Sequence, residues 1–213
     1  MKKCVLLLSV LTASLCTAVA QTYKIESPDK KITVEVKNSE SLTYSVTFDG
    51  KVVVAESPMG FQFKGEPDMS GNFEVKNDAK VKSGVEAWTP VVRNKHAECS
   101  VPYNELALVL KEKSGQYRKM DLTFRVMNDG VAFRYGLYGV PVLGNREIMK
   151  ELTGYNIPEE SSLWIPDFAY EDEGKSYKSS QEGVFIKTPV KDIKTEIHAG
   201  LPGLIEIDKE NYL

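Results

Sequence analysis

Apolar and polar residues alternate with a period of two through most of the chain, and that spacing predicts strands that each bury one face. Ile32, Val34 and Val36 alternate with Thr33 and Glu35, and Leu42, Tyr44, Val46 and Phe48 repeat the pattern. Asp49-Gly50 then leads into Lys51-Val52-Val53-Val54, a two-residue hairpin signature that needs positive φ at its centre. Leu122, Phe124 and Val126 form another alternating run, which Asn128-Asp129-Gly130 turns into Val131, Phe133, Tyr135 and Leu137. Leu106, Leu108 and Leu110 mark a further strand, closed by the polar turn at 111–115. Weaker strand patterns lie at 59–63, 80–88, 147–153, 183–187 and 203–208. From Gln21 onward no helix-period segment exceeds about two turns, so the chain predicts an all-β, antiparallel β-sandwich. Its aromatic residues are expected mainly in the inter-sheet layer. Trp88, which ends an alternating stretch, is expected in the core, and Trp164 fits core or site equally.

The first twenty residues are set apart. Met1-Lys2-Lys3, an apolar run from Cys4 to Val19 and the small residues Ala18 and Ala20 read as a secretory signal, so residues 1–20 are expected to be removed. Leu15 before Cys16 fits a lipoprotein cleavage box badly, which favours soluble export to the periplasm or the extracellular space. No membrane association is then expected after cleavage. Of three cysteines only Cys99 survives, so no internal disulfide is possible, and Cys99 is expected as a small half-buried strand residue. Losing Lys2 and Lys3 takes the net charge from −3 to −5, which argues against nucleic acid as a partner.

Candidate chemistry is sparse and acidic. His96 and His198 have no ligand-spaced neighbours, and there is no G-x-S-x-G elbow or glycine-rich phosphate loop. The stretch 158–181 shows no sustained period and is expected to be a long loop. Within it Tyr170-Glu171-Asp172-Glu173-Gly174 gathers three carboxylates beside aromatic residues. Such a cluster suits a solvated surface, a hard cation bound through oxygen, or acid–base work on a glycosidic bond. Aromatic rings beside acids also suit sugars, whose pyranose rings offer an apolar face and a rim of hydroxyls, and Trp88, Trp164 and Tyr170 could stack in this way. Arg125 and Arg134 flank the Asp129-Gly130 turn and are expected to organise nearby carboxylates or carbonyls instead of contacting sugar.

An ordered series of motifs resembles one known family. Ser27-Pro28-Asp29, Leu42-Thr43-Tyr44, Ser57-Pro58-Met59-Gly60, Tyr103-Asn104-Glu105-Leu106, the long stretch from Phe124 through Asn128-Asp129-Gly130-Val131-Ala132-Phe133-Arg134-Tyr135, and Trp164-Ile165-Pro166 are similar to the N-terminal domain of glycoside hydrolase family 97. That family comprises exported bacterial α-glucosidases and α-galactosidases of polysaccharide utilisation. The resemblance implies a large super-sandwich over residues 21–213, ahead of a (β/α)8 barrel that carries the catalytic carboxylates. It also implies that the chain stops before the barrel, within an incomplete sandwich, and is not catalytic by itself. In the family this domain binds carbohydrate, completes the substrate pocket and gives a glutamate to a calcium ion shared with the barrel. The position after Trp164-Ile165-Pro166 makes Glu173 the implied metal ligand, with Glu171 second, while Trp164 and Tyr170 are the substrate-binding candidates read from the aromatic residues themselves. Two other readings remain: a free-standing carbohydrate-binding or surface-adhesion sandwich, and a small hydrolase using Glu171 and Glu173.

Overall fold

The computed structural model describes residues 21–93, 95–137, 146–166, 184–194, 201–209 and 212–213. Among these the chain forms fourteen strands and one short 3-10 turn, Val190–Asp192. The strands are β1 (Gln21–Glu26), β2 (Ile32–Asn38), β3 (Leu42–Phe48), β4 (Lys51–Pro58), β5 (Phe61–Phe63), β6 (Phe73–Val75) and β7 (Lys82–Trp88). They continue as β8 (Cys99–Glu112), β9 (Lys119–Met127), β10 (Val131–Gly136), β11 (Ile148–Glu151), β12 (Ser162–Pro166), β13 (Phe185–Pro189) and β14 (Leu204–Glu206). The first four make an antiparallel meander in the order β1-β2-β3-β4. A five-stranded sheet runs β10-β9-β8-β6, and β7 pairs with the other end of β8. Two small sheets, β11-β5 and β13-β12-β14, complete the structure.

Alternation sets the inner faces of the two large sheets. Along β2 every second residue from Ile32 is buried; along β3 Leu42, Tyr44 and Val46 are buried; on the opposing sheet Leu106, Leu108, Leu110, Leu122, Phe124 and Val126 are at most 1% exposed. These side chains form one continuous core, with β1 lying against β8 and β2 against β9. Tyr44 lies 5.8 Å from Phe124 and 5.9 Å from Phe133, so tilted rings fill the layer between the sheets. The all-β antiparallel sandwich read from the sequence is therefore the observed fold.

The two hairpin turns resemble each other in sequence and differ in backbone. Asp49 and Gly50 both take positive φ, 47° and 78°, as a twist-matched two-residue turn requires. The Asn128-Asp129-Gly130 turn closes through Met127 N–H donating to the Gly130 carbonyl at 2.8 Å, with none of the three residues at positive φ.

Two asparagines complete what the short strands lack. The buried Asn38 amide donates to the Phe73 carbonyl at 2.8 Å and accepts from the Phe73 N–H at 3.2 Å, fastening β6 to the end of β2. Asn77 likewise donates to the Ala107 carbonyl and accepts from the Val109 N–H, both at 2.8 Å. Each side chain stands in for a strand residue that would otherwise leave backbone groups unpaired.

Two expectations are corrected. Trp88 is 49% exposed, because β7 is an edge strand whose residues, Gly84 aside, are all exposed. The expected loop at 158–181 contains strand β12, since Ser162–Pro166 pairs with β13 and its first three residues also pair with β14. Cys99 is half-buried at the start of β8 as expected.

Candidate functional site

The three-stranded sheet holds the one sequence-predicted site residue that is described, Trp164. Ser161, just before β12, and Ile165 within it are buried, so Trp164 projects to the face opposite Ile165 and is half-buried there. Its register partners are Lys187 on β13 and Leu204 on β14, while Glu206 lies opposite Ser162 on the same face. The indole Nε1–H donates to Glu206 Oε2 at 3.4 Å, and Lys187 Nζ lies 2.7 Å from both Glu206 oxygens. The Lys187 ammonium, followed by the indole N–H, holds the Glu206 carboxyl below the usual glutamate range. One face thus combines an aromatic plane, a fixed carboxylate and an ammonium, the mix of stacking surface and hydrogen-bonding groups that a polyol needs.

This small sheet is tied to the large ones. Ile207 packs on the main core, Lys51 pairs with Asp208, and Leu213 exchanges two backbone hydrogen bonds with Ile205, at 2.9 and 2.8 Å. Pro166 lies opposite Phe185, so β12 and β13 form an antiparallel pair whose connection is 167–184. Tyr170, Glu171 and Glu173 belong by sequence to that connection and lie outside the described residues.

Sequence reading missed Lys187 and Glu206. Each sits at an ordinary polar position of an alternating run, Ile186-Lys187-Thr188 and Ile205-Glu206-Ile207. Only the register of three short strands brings them to Trp164. The two arginines divide. Arg125 pairs with Glu86 at 2.6 Å and Glu105 at 2.9 Å, organising carboxylates as expected, whereas Arg134 is exposed and makes no ion pair with a described residue.

Among the described residues no group of three or more His, Cys, Asp or Glu side chains gathers closely enough to hold a metal ion. The carboxylates of 171–173 are hard oxygen donors, the type calcium prefers, and a single glutamate among them supplies at most two of the six to eight oxygens that calcium takes. No helix of the described residues is long and apolar enough to cross a membrane.

An antiparallel sandwich with a small aromatic-and-acid sheet at its side defines the class of domain. The family model described as glycosyl-hydrolase 97 N-terminal matches residues 25–213, and the chain belongs to that family. A retaining alpha-galactosidase of Bacteroides thetaiotaomicron is 23% identical over 166 residues, which is 78% of this chain and 23% of that protein. A glycoside hydrolase family 97 enzyme from a Pseudoalteromonas species, solved with panose, superposes with a TM-score of 0.71 at 23% identity, covering 86% of this chain and 26% of its own. A beta-arabinopyranosidase crystal structure gives 0.73 at 25% identity, covering 89% and 30%. The chain spans about a quarter of the length of the curated relative and of the solved structures it matches.

Proposed function

We propose that this chain is the carbohydrate-binding wall of an exported glycoside hydrolase and gives one carboxylate to a calcium site shared with a (β/α)8 catalytic barrel. The observation that carries the reading is the Trp164–Glu206–Lys187 cluster at the root of the connection bearing Tyr170, Glu171 and Glu173. In this reading the Trp164 indole and the Tyr170 ring stack on the apolar face of a sugar. Glu206, held by Lys187, accepts from hydroxyls at the rim. Glu173, with Glu171 second, supplies carboxylate oxygen to calcium, and the remaining oxygens come from the barrel because one carboxylate supplies at most two of the six to eight needed. Calcium bound there would fix the connection against the sugar.

Hydrolysis of a glycosidic bond needs two carboxylates held across that bond. The chain alone therefore binds and positions and does not cleave. Export to the periplasm or the extracellular space, after removal of residues 1–20, belongs to the same reading.

Terbium in place of calcium tests it on the chain itself. Excitation of tryptophan should sensitise terbium emission, calcium should quench that emission by displacement, and Glu171→Gln with Glu173→Gln should abolish it. Affinity should be weak, on the order of 10⁻³ M or poorer. Sensitised emission that survives the double substitution contradicts the ligand assignment.

A further inference from the structure

The outer face of the five-stranded sheet carries a second aromatic surface. Lys82, Gly84, Glu86 and Trp88 of β7 face outward opposite Glu105, Tyr103, Val101 and Cys99 of β8. Arg125 of β9 reaches across β8 along this face. Its guanidinium carbon sits 3.9 Å from the centre of the Tyr103 ring, and its nitrogens hold Glu105 at 2.9 Å and Glu86 at 2.6 Å. Gly84 makes this layer flat: a Cβ there would stand 2.6 Å from the Tyr103 ring, so the phenol lies over the edge strand only because the side chain is missing. Trp88 follows Glu86 two residues along the same face, about 7 Å away, and is 49% exposed.

We propose that this face is a saccharide-binding surface, on which Trp88 stacks on a neutral hexose polymer while the Glu86–Arg125 pair hydrogen-bonds its hydroxyls. Three features select that ligand. Along β7 and the part of β8 that pairs with it, Lys82 and Arg125 balance Glu86 and Glu105, so this part of the face has no surplus charge to favour an anionic glycan, and Lys111, Lys119 and Arg134 lie farther along the sheet. A single exposed indole among charge-paired side chains matches the alternating apolar face and hydroxyl rim of a sugar better than it matches an apolar protein core. Lys82, Glu86 and Trp88 stand in a row along one strand, so a ligand gains contact area by engaging several sugar rings in a row. The site is separate from the β12–β13 cluster and does not depend on the role proposed for Trp164.

Native affinity electrophoresis with soluble starch or galactomannan cast in the gel tests the proposal. The chain should be retarded by at least one polymer. Trp88→Ala and Glu86→Ala should each weaken retardation about tenfold, and Val85→Ala, on the opposite face of β7, should leave it unchanged. The retarding polymer should also slow alkylation of Cys99, which lies opposite Trp88. No retardation by either polymer, or retardation intact in Trp88→Ala, overturns the proposal. Retardation lost in Trp164→Ala but kept in Trp88→Ala overturns it while favouring the β12–β13 reading. A concentration-dependent dimer that Trp88→Ala disrupts, without retardation, overturns it in favour of self-association.

Discussion

Arg118 is 1% exposed, and its guanidinium grips Glu112 through two hydrogen bonds, Nε to Oε2 at 2.9 Å and Nη2 to Oε1 at 2.5 Å. Glu66 at 3.2 Å, the Pro67 carbonyl at 3.0 Å and the Phe63 ring complete its surroundings. This pair fastens the two strands that meet at the 113–118 turn to the segment after β5. Removing one partner strands a buried charge, so Arg118→Ala should cost about 3–5 kcal/mol in urea unfolding. Removing the exposed Lys24–Glu26 pair should leave the midpoint unchanged.

Asn38 makes a similar argument with a neutral side chain. Its amide satisfies both backbone groups of Phe73, so Asn38→Leu should leave a buried N–H and C=O unpaired. A loss of about 1–3 kcal/mol is expected. Hydrogen exchange should show Phe73 losing protection while the Val34 and Val46 amides of the neighbouring strands keep theirs.

Gly50 and Gly130 distinguish two turns that look alike in sequence. Gly50 has φ of 78° and open space around it, so Gly50→Ala meets only backbone strain, about 1 kcal/mol or slightly more. At Gly130 a Cβ would make only an ordinary contact with Met127 and φ is not positive. Gly130→Ala should therefore fall within about 0.5 kcal/mol of the native chain.

Two pH limits follow from titrating groups. Burial pushes the Tyr135 phenol from its ordinary 10 up to about 12. Its raised folded-state value favours the protonated fold, so this contribution is complete below pH 10 and is lost as pH rises toward 12. Tyr135→Phe should reduce alkaline destabilisation in that window, read by denaturant titration at each pH. Glu206 behaves oppositely. Its lowered value means that its contribution is present above the ordinary glutamate value of 4.5 and is lost as pH falls below it. Emission from Trp164, whose indole donates to that carboxylate, should change there, and Glu206→Gln should remove the transition.

The long strands were legible because alternation and burial coincide on them: Ile32 to Val36, Leu106 to Leu110 and Leu122 to Val126 all face the core as their spacing predicts. Strands β6 and β12 escaped because three or five residues are too few to establish a period, and β6 depends on the Asn38 amide, a contact 35 residues distant in sequence. Trp88 misled because alternation reports which residues share a face without reporting whether anything covers that face at a sheet edge. At the candidate site the sequence singled out Trp164 but not Lys187 or Glu206, whose proximity depends on pairing across three strands.

The proposed role is an aromatic wall and one calcium-binding carboxylate supplied to a catalytic barrel. The most direct measurement places residues 21–213 in place of the matching N-terminal region of the Bacteroides thetaiotaomicron alpha-galactosidase and follows glycoside hydrolysis against calcium concentration, with circular dichroism as the check on folding. Hydrolysis should depend on calcium, fall at least tenfold on Glu173→Gln and show a raised KM on Trp164→Ala. A well-folded chimera whose rate and calcium requirement are the same with Gln at 173 would contradict it.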